Sequence, residues 1–113
     1  MMNQFKSDFS DAVILKLVVE TDRAEIHLKD WQEHEHVVLV EDVLMLEDHE
    51  SVGEDISHMR MSQNDELVRV ACARAKKTPA AYHSFTFFGA WSEQPILTFV
   101  AGRLSVTDAE SKC

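Results

Sequence analysis

Seven carboxylate side chains stand between residues 41 and 55 of this 113-residue chain, with no lysine or arginine among them. They are Glu41, Asp42, Glu47, Asp48, Glu50, Glu54 and Asp55. The imbalance extends over the first half of the chain, since residues 1–58 hold 15 acidic and 4 basic side chains and residues 59–113 hold 5 and 7. Such a concentrated field steers a cationic partner, either a basic protein or a metal ion. Solvation of the surface is the ordinary alternative for the same charges.

This charge pattern favours a small acidic protein-binding module. We expect it to act as an inhibitor or immunity-type protein that neutralises a basic protein partner through its acidic loop. In size and acidity the chain resembles bacterial immunity proteins in a general way. Trp31 or Met45 would supply the apolar anchor that gives such an interface its affinity. In this interpretation the chain has no catalytic residues and needs no cofactor.

A second hypothesis concerns metal binding, because His34, His36 and Glu41 follow the spacing H-x-H-x4-E. This spacing resembles the first motif of the cupin family, and the resemblance implies a divalent transition metal in a small-molecule enzyme or sensor. The match covers eight residues, and the glycines that flank the motif in cupins are replaced by Leu28 and Asp48. The second cupin motif has no counterpart. The same residues are also typical of a polar turn with both histidines facing solvent.

Other kinds of chemistry are not supported by the sequence. Asp48, Glu50 and Gly53 match three positions of an EF-hand loop, but Val52 and Met59 stand where further oxygen ligands are required. There is no G-x-S-x-G motif and no glycine-rich phosphate loop among only three glycines. A formal net charge of −9 would repel a phosphate backbone, so we expect no nucleic-acid binding.

We also expect a cytoplasmic chain that does not associate with membranes. Three charges, two of them acidic, precede the first apolar run, and Lys16 interrupts that run, unlike in a signal peptide. No apolar stretch reaches the length of a membrane span. Cys72 lies in an apolar segment and Cys113 is the last residue, so the sequence predicts two free thiols.

Period-two patterns predict the strands that would position these groups. Residues 13–19 and 23–29 predict an antiparallel hairpin whose residues Ala24, Ile26 and Leu28 face the core. Residues 36–40 predict a third strand, after which residues 42–46 fit either a strand or a helical turn capped by Asp42.

The second half predicts further strands separated by turns. Gly53 marks a loop, and turns are predicted at Asn64 and Asp65 and at residues 91–95. Gly102 marks the place where a bulge would let the last strand bend. The strands are predicted at residues 56–61, 67–73, 82–90, 96–101 and 104–106. The aromatic core residues are predicted to be Phe85, Phe87, Trp91 and Phe99.

Together these patterns predict a mostly β fold, an antiparallel β-sandwich or small barrel of seven to eight short strands. The chain is long enough for a single domain over residues 1–113, with polar frayed termini at about residues 1–10 and 107–113. A further hypothesis is a homodimer formed through an exposed strand edge and helped by the opposite charges of the two halves.

Overall fold

In the computed structural model, which describes residues 11–63 and 65–108, one antiparallel sheet of six strands carries one α-helix. The strands are β1 Val13–Val19, β2 Arg23–Lys29, β3 Glu35–Asp48, β4 Ile56–Gln63, β5 His83–Gly89 and β6 Pro95–Asp108. Helix α1 spans Glu66–Ala75, and a short 3-10 turn spans Pro79–Ala81. The strand order in the sheet is β1-β2-β3-β6-β5-β4. The predicted mostly β, antiparallel class is confirmed, although the described residues form fewer strands than expected.

The two 14-residue strands, β3 and β6, belong to both halves of the sheet. Residues 35–41 of β3 pair with β2, whereas residues 95–101 of β6 pair with β5. Apolar side chains from both halves form one buried cluster, which includes Ile14, Ile26, Leu28, Val38, Val40, Ile56, Phe85, Phe87, Leu97 and Phe99. The sheet is therefore folded into two layers that pack face to face and share two long strands.

The bend in these strands lies where Asp42 of β3 faces Gly102 of β6. Asp42 has a left-handed backbone with φ 58°, and the register between the strands shifts between Val43 and Met45. The extra residue of this bulge is Leu44 of β3, so the bulge predicted at Gly102 lies on the neighbouring strand instead. The alternative of a helical turn over residues 42–46 is wrong, because β3 continues through this segment to Asp48.

The sheet closes on itself where β1 and β4 begin. Val13 forms an isolated antiparallel bridge with Asp55. The amide of Ile56 donates to the carbonyl of Ala12 at 2.7 Å, and the amide of Gly53 donates to the carbonyl of Ile14 at 2.7 Å. The two edge strands of the sheet, β1 and β4, therefore meet at one corner, which gives the fold a partly closed, barrel-like shape.

The first predicted hairpin is confirmed, because β1 pairs with β2 in antiparallel register. Its expected core residues Ala24, Ile26 and Leu28 are buried. Three of the four predicted aromatic core residues, Phe85, Phe87 and Phe99, are buried as well. The prediction for the fourth is wrong.

That fourth residue, Trp91, is 83% exposed. It lies in the turn of residues 90–94 between β5 and β6, beyond the end of the paired strands, where no layer covers it.

A strand was also wrongly predicted at residues 67–73, which belong to helix α1. Asp65 caps the helix, since its Oδ1 atom accepts a hydrogen bond from the amide of Val68 at 2.9 Å. The Oδ2 atom of Asp65 accepts from the Ser84 hydroxyl at 2.8 Å, which ties the helix to β5. Lys76, with φ 60°, ends the helix in a left-handed conformation.

Helix α1 packs against β3, β5 and β6, on the side of these strands that points away from the core between the layers. Val68, Ala71 and Cys72 recur at helical spacing and are buried against Tyr82 and Val100. Cys72 is a free thiol, as predicted, and burial raises the pKa of this thiol.

Strand β6 continues to Asp108 and so includes two residues expected in the frayed terminus. The expected termini at residues 1–10 and 109–113, with Cys113, lie outside the described residues, as does Asn64 of the predicted turn. No helix in the described part of the chain is long and apolar enough to cross a membrane.

Candidate protein-binding surface

Closure of the sheet brings three connecting segments to one end of the molecule. Val13 pairs with Lys29 on one side and with Asp55 on the other. At the usual spacing of neighbouring strands, the backbones of Lys29 and Asp55 are about 10 Å apart. The amide of Ala90 donates to the carbonyl of Asp55 at 2.8 Å. The turn of residues 30–34, the loop of residues 49–55 and the turn of residues 90–94 therefore lie side by side.

We call this region the acidic end and define it as residue 11 with residues 30–34, 47–55 and 90–94. It contains nine carboxylates and no lysine or arginine. The carboxylates are Asp11, Asp30, Glu33, Glu47, Asp48, Glu50, Glu54, Asp55 and Glu93. The ion pairs of Arg23 and Arg103 are with Glu20, Glu25 and Glu41, all outside the acidic end. The acidic end thus has no lysine or arginine of its own to neutralise its negative charge.

The loop of residues 49–55 is held by its own hydrogen bonds. The Asp48 carboxylate accepts from the amide of Ser51 at 3.0 Å, and the carbonyl of Ser51 accepts from the amide of Glu54 at 3.0 Å. Gly53 has φ 93°, which favours glycine and agrees with the predicted loop. These bonds fix the loop while Glu50 remains exposed.

Exposed apolar side chains accompany these charges. Trp91 donates from Nε1 to Oδ2 of Asp55 at 3.1 Å, and its ring remains in solvent. Trp31 is 71% exposed in the turn of residues 30–34, and Val52 is 52% exposed at the tip of the loop. The acidic end thus holds three of the six large hydrophobic side chains that are exposed in the described part of the chain.

Two of the predicted carboxylates, Glu41 and Asp42, lie elsewhere. Glu41 is 3.5 Å from the Nε atom of Arg103. Asp42 accepts a hydrogen bond from the Tyr82 hydroxyl at 2.8 Å at the bend of β3. Glu41 is six residues from Glu47, which is about 20 Å along a strand. The structure therefore gathers five of the seven predicted carboxylates and gives Glu41 and Asp42 contacts within the fold.

The bond from Tyr82 to Asp42 also affects ionisation. This hydrogen bond, with desolvation by burial, raises the pKa of Tyr82 to about 12. Met45, predicted as an alternative apolar anchor of the interface, instead packs against the buried cluster of Val68, Ala71 and Cys72 on helix α1.

The predicted metal ligands are not brought together. The Nε2 atom of His36 lies 2.9 Å from Oδ2 of Asp30, whereas the side chain of Glu41 contacts Arg103. His34 is exposed, and its backbone amide donates to Oδ1 of Asp30 at 2.9 Å. No group of three His, Cys, Asp or Glu residues within residues 11–63 and 65–108 is arranged to hold a metal ion. The cupin-like site stays a prediction that elemental analysis of the purified protein would test.

Asp30 organises the turn that carries His34 and leads into β3, where His36 lies. Its Oδ1 atom also accepts from the amide of Gln32 at 2.9 Å, so one carboxylate caps the turn and binds His36. The hydrogen bond from His36 holds the pKa of Asp30 below its ordinary value. The polar turn expected from the sequence is present with His34 exposed in it, whereas His36 is half-buried on β3 and does not face solvent freely.

Sequence reasoning missed Trp91 and Val52 as surface residues. Trp91 begins the segment of residues 91–95 that was correctly predicted to be a turn, and this turn was the available signal that its side chain is exposed. Val52 gave no signal of its own, because its exposure follows from the loop that Asp48 and Gly53 form.

The chain matches no protein-family model, no curated protein and no solved structure.

Proposed function

We propose that this chain is a small protein-binding module that neutralises a basic protein through its acidic end, as an inhibitor or immunity-type protein does. One observation carries the proposal. Nine carboxylates share one end of the fold with three exposed apolar side chains, and the segments that form this end contain no lysine or arginine.

The two kinds of residue have different physical effects. Carboxylates in excess accelerate encounter with a basic surface and reject anionic competitors. Aromatic side chains that become desolvated on binding supply most of the affinity in protein interfaces. Trp91 suits this second effect, because its hydrogen bond to Asp55 restrains the ring before binding. Its exposed face is also free to stack on a lysine or arginine of the partner.

Affinity capture from an extract of the source organism, followed by binding measurements with the purified partner, tests the proposal. We expect a basic protein to be retained and to dissociate as the salt concentration rises. The double variant Glu50→Lys with Glu93→Lys should weaken its binding at least about tenfold, because both side chains are exposed on the acidic end.

The matched control is Glu20→Lys with Asp22→Lys, which changes the net charge equally. These residues are exposed at the β1–β2 turn, the other end of the hairpin from Lys29. Binding should be nearly unchanged in the control. Recovery of no basic protein, or equal losses for both double variants, would contradict the proposed function.

A further inference from the structure

Residues 44–48 of β3 form a free strand edge beside the acidic end. They pair with β6 on one side, while the pairing with β2 ends at Arg23 and Glu41. The last backbone bond on the β2 side joins the amide of Val43 to the carbonyl of Asp22 at 2.9 Å. Beyond it, no described strand covers this edge.

The direction of the unpaired groups follows from a neighbouring bond. The amide of His49 donates to the carbonyl of Ile96 at 2.9 Å, towards β6. Backbone groups of alternate residues point to the same side of a strand, so those of Leu46 and Asp48 point away from β6. The edge thus presents the N–H and C=O groups of both residues to an incoming strand.

An apolar groove of about 280 Å³ lies beside this edge, between β3 and helix α1. It is lined by Leu44, Met45, Val70, Ala71, Arg74 and Ala75. Val70 is 45% exposed, so the groove is open to solvent.

The carboxylate of Glu47 lies on the same face of β3 as the groove. Leu46 packs into the core between the layers, whereas Met45 packs on the helix side. Because side chains alternate along a strand, Glu47 shares the face of Met45. Its side chain is 63% exposed, and its Oε1 atom lies 3.8 Å from the Nε2 atom of His49.

We propose that an extended segment of the basic partner adds a strand to this edge of β3. Its backbone would pair with Leu46 and Asp48, an apolar side chain would enter the groove, and a lysine or arginine two residues away would bind Glu47. Arg74 in the groove lining repels a cation there, which confines the basic side chain to the Glu47 position. The inference rests on the proposed function and names the element of the partner that is recognised.

A short capped peptide tests this inference directly. The probe has lysine and valine two residues apart in a threonine background, so both side chains lie on one face of a strand. The control peptide has the same composition with lysine and valine adjacent, which places them on opposite faces. We expect the probe to bind more tightly and to slow amide hydrogen exchange at Leu46 and Asp48.

Two variants and their controls locate the site. Glu47→Lys and Val70→Asp should each weaken binding of the probe at least about tenfold. Glu20→Lys and Val19→Asp, at exposed positions of the first hairpin, should leave it unchanged. Circular dichroism and the unfolding temperature verify that all four variants are folded.

Equal binding of the two peptides, or no change in exchange at Leu46 and Asp48, would overturn the inference. A dimer in sedimentation with these amides already protected would assign the edge to a second copy and overturn it as well. If the peptide fails while a captured basic protein is still sensitive to Glu50→Lys with Glu93→Lys, the proposed function stands without this inference. If no basic protein is captured, the proposed function itself fails.

Discussion

The Nε1 atom of Trp91 donates a hydrogen bond to Oδ2 of Asp55 at 3.1 Å, so an exposed indole is fixed beside a carboxylate. The two residues come from different connections, the β5–β6 turn and the loop before β4. Asp55 is itself placed by its bridge to Val13 at the closure of the sheet. Closure of the fold thus determines which charges surround the aromatic ring.

Replacing Trp91 should affect binding and leave stability almost unchanged. We expect Trp91→Ala to weaken binding of the basic partner by about 2 kcal/mol, as truncation of an aromatic anchor does. The free energy of unfolding should change by no more than about 0.5 kcal/mol, because the ring is exposed in the free protein. Isothermal titration and chemical denaturation measure the two effects. Unchanged affinity would exclude Trp91 as an anchor, and the parallel variant Trp31→Ala shows whether the other exposed indole has that role.

Removing the Tyr82 hydroxyl should destabilise the bend of β3. We expect Tyr82→Phe to lower the free energy of unfolding by about 1–2 kcal/mol, because the Asp42 carboxylate loses its donor. The pKa of Tyr82 is raised to about 12 from an ordinary value of 10.0, so the bond should stabilise fully below pH 10 and weaken as the pH approaches 12. Denaturation of both proteins across this range measures the difference. A difference that grows with pH would contradict the assignment.

Gly102 should tolerate no side chain opposite Asp42. A Cβ atom at this position would lie 3.1 Å from Oδ2 and 3.3 Å from Cβ of Asp42. We expect Gly102→Ala to destabilise the protein by about 1–2 kcal/mol, despite the entropy that alanine removes from the unfolded chain. Because the same displacement disturbs the bond to Tyr82, the effects of Gly102→Ala and Tyr82→Phe should not be additive in a double-mutant cycle. Strict additivity would show that the two contacts are independent.

The contribution of Asp30 should depend on acid pH. The hydrogen bond from His36 holds the pKa of Asp30 below its ordinary value of 3.8. A carboxyl with a lowered pKa in the folded state stabilises the protein above its unfolded pKa and loses this effect as the pH falls through the folded value. The stability difference between the native chain and Asp30→Asn should therefore be constant above pH 3.8 and shrink below it. Asparagine retains the acceptor for Gln32 and His34, so a pH-independent difference would assign the effect to the turn alone.

The strands could be predicted wherever one side of a strand is buried and the other is solvated. Strand β2 shows this alternation without interruption, and its core residues were correctly identified. Helix α1 was missed because its apolar residues also satisfy a strand pattern over a short window, and the capping bond of Asp65 becomes visible only with the structure. One continuous strand at residues 35–48 was not predicted, since Asp42 after the apolar run also fits the cap of a helical turn.

The candidate surface could be predicted only in part, for a similar reason. The carboxylates of residues 47–55 are neighbours in the chain, so their proximity is local. Trp91 and the turn that carries Trp31 reach the same end through the pairing of Val13 with Lys29 and Asp55. Such long-range contacts depend on the order of the strands, which period-two patterns do not specify.

The most direct measurement is the dissociation constant of the captured basic partner as a function of salt concentration. It should be made for the native chain, for Glu50→Lys with Glu93→Lys, and for the control Glu20→Lys with Asp22→Lys. We predict that the affinity of the native chain falls steeply with salt, and that the first variant alone binds at least about tenfold more weakly with a shallower salt dependence. Equal affinities for all three proteins, or an affinity that salt does not change, would contradict binding through the acidic end.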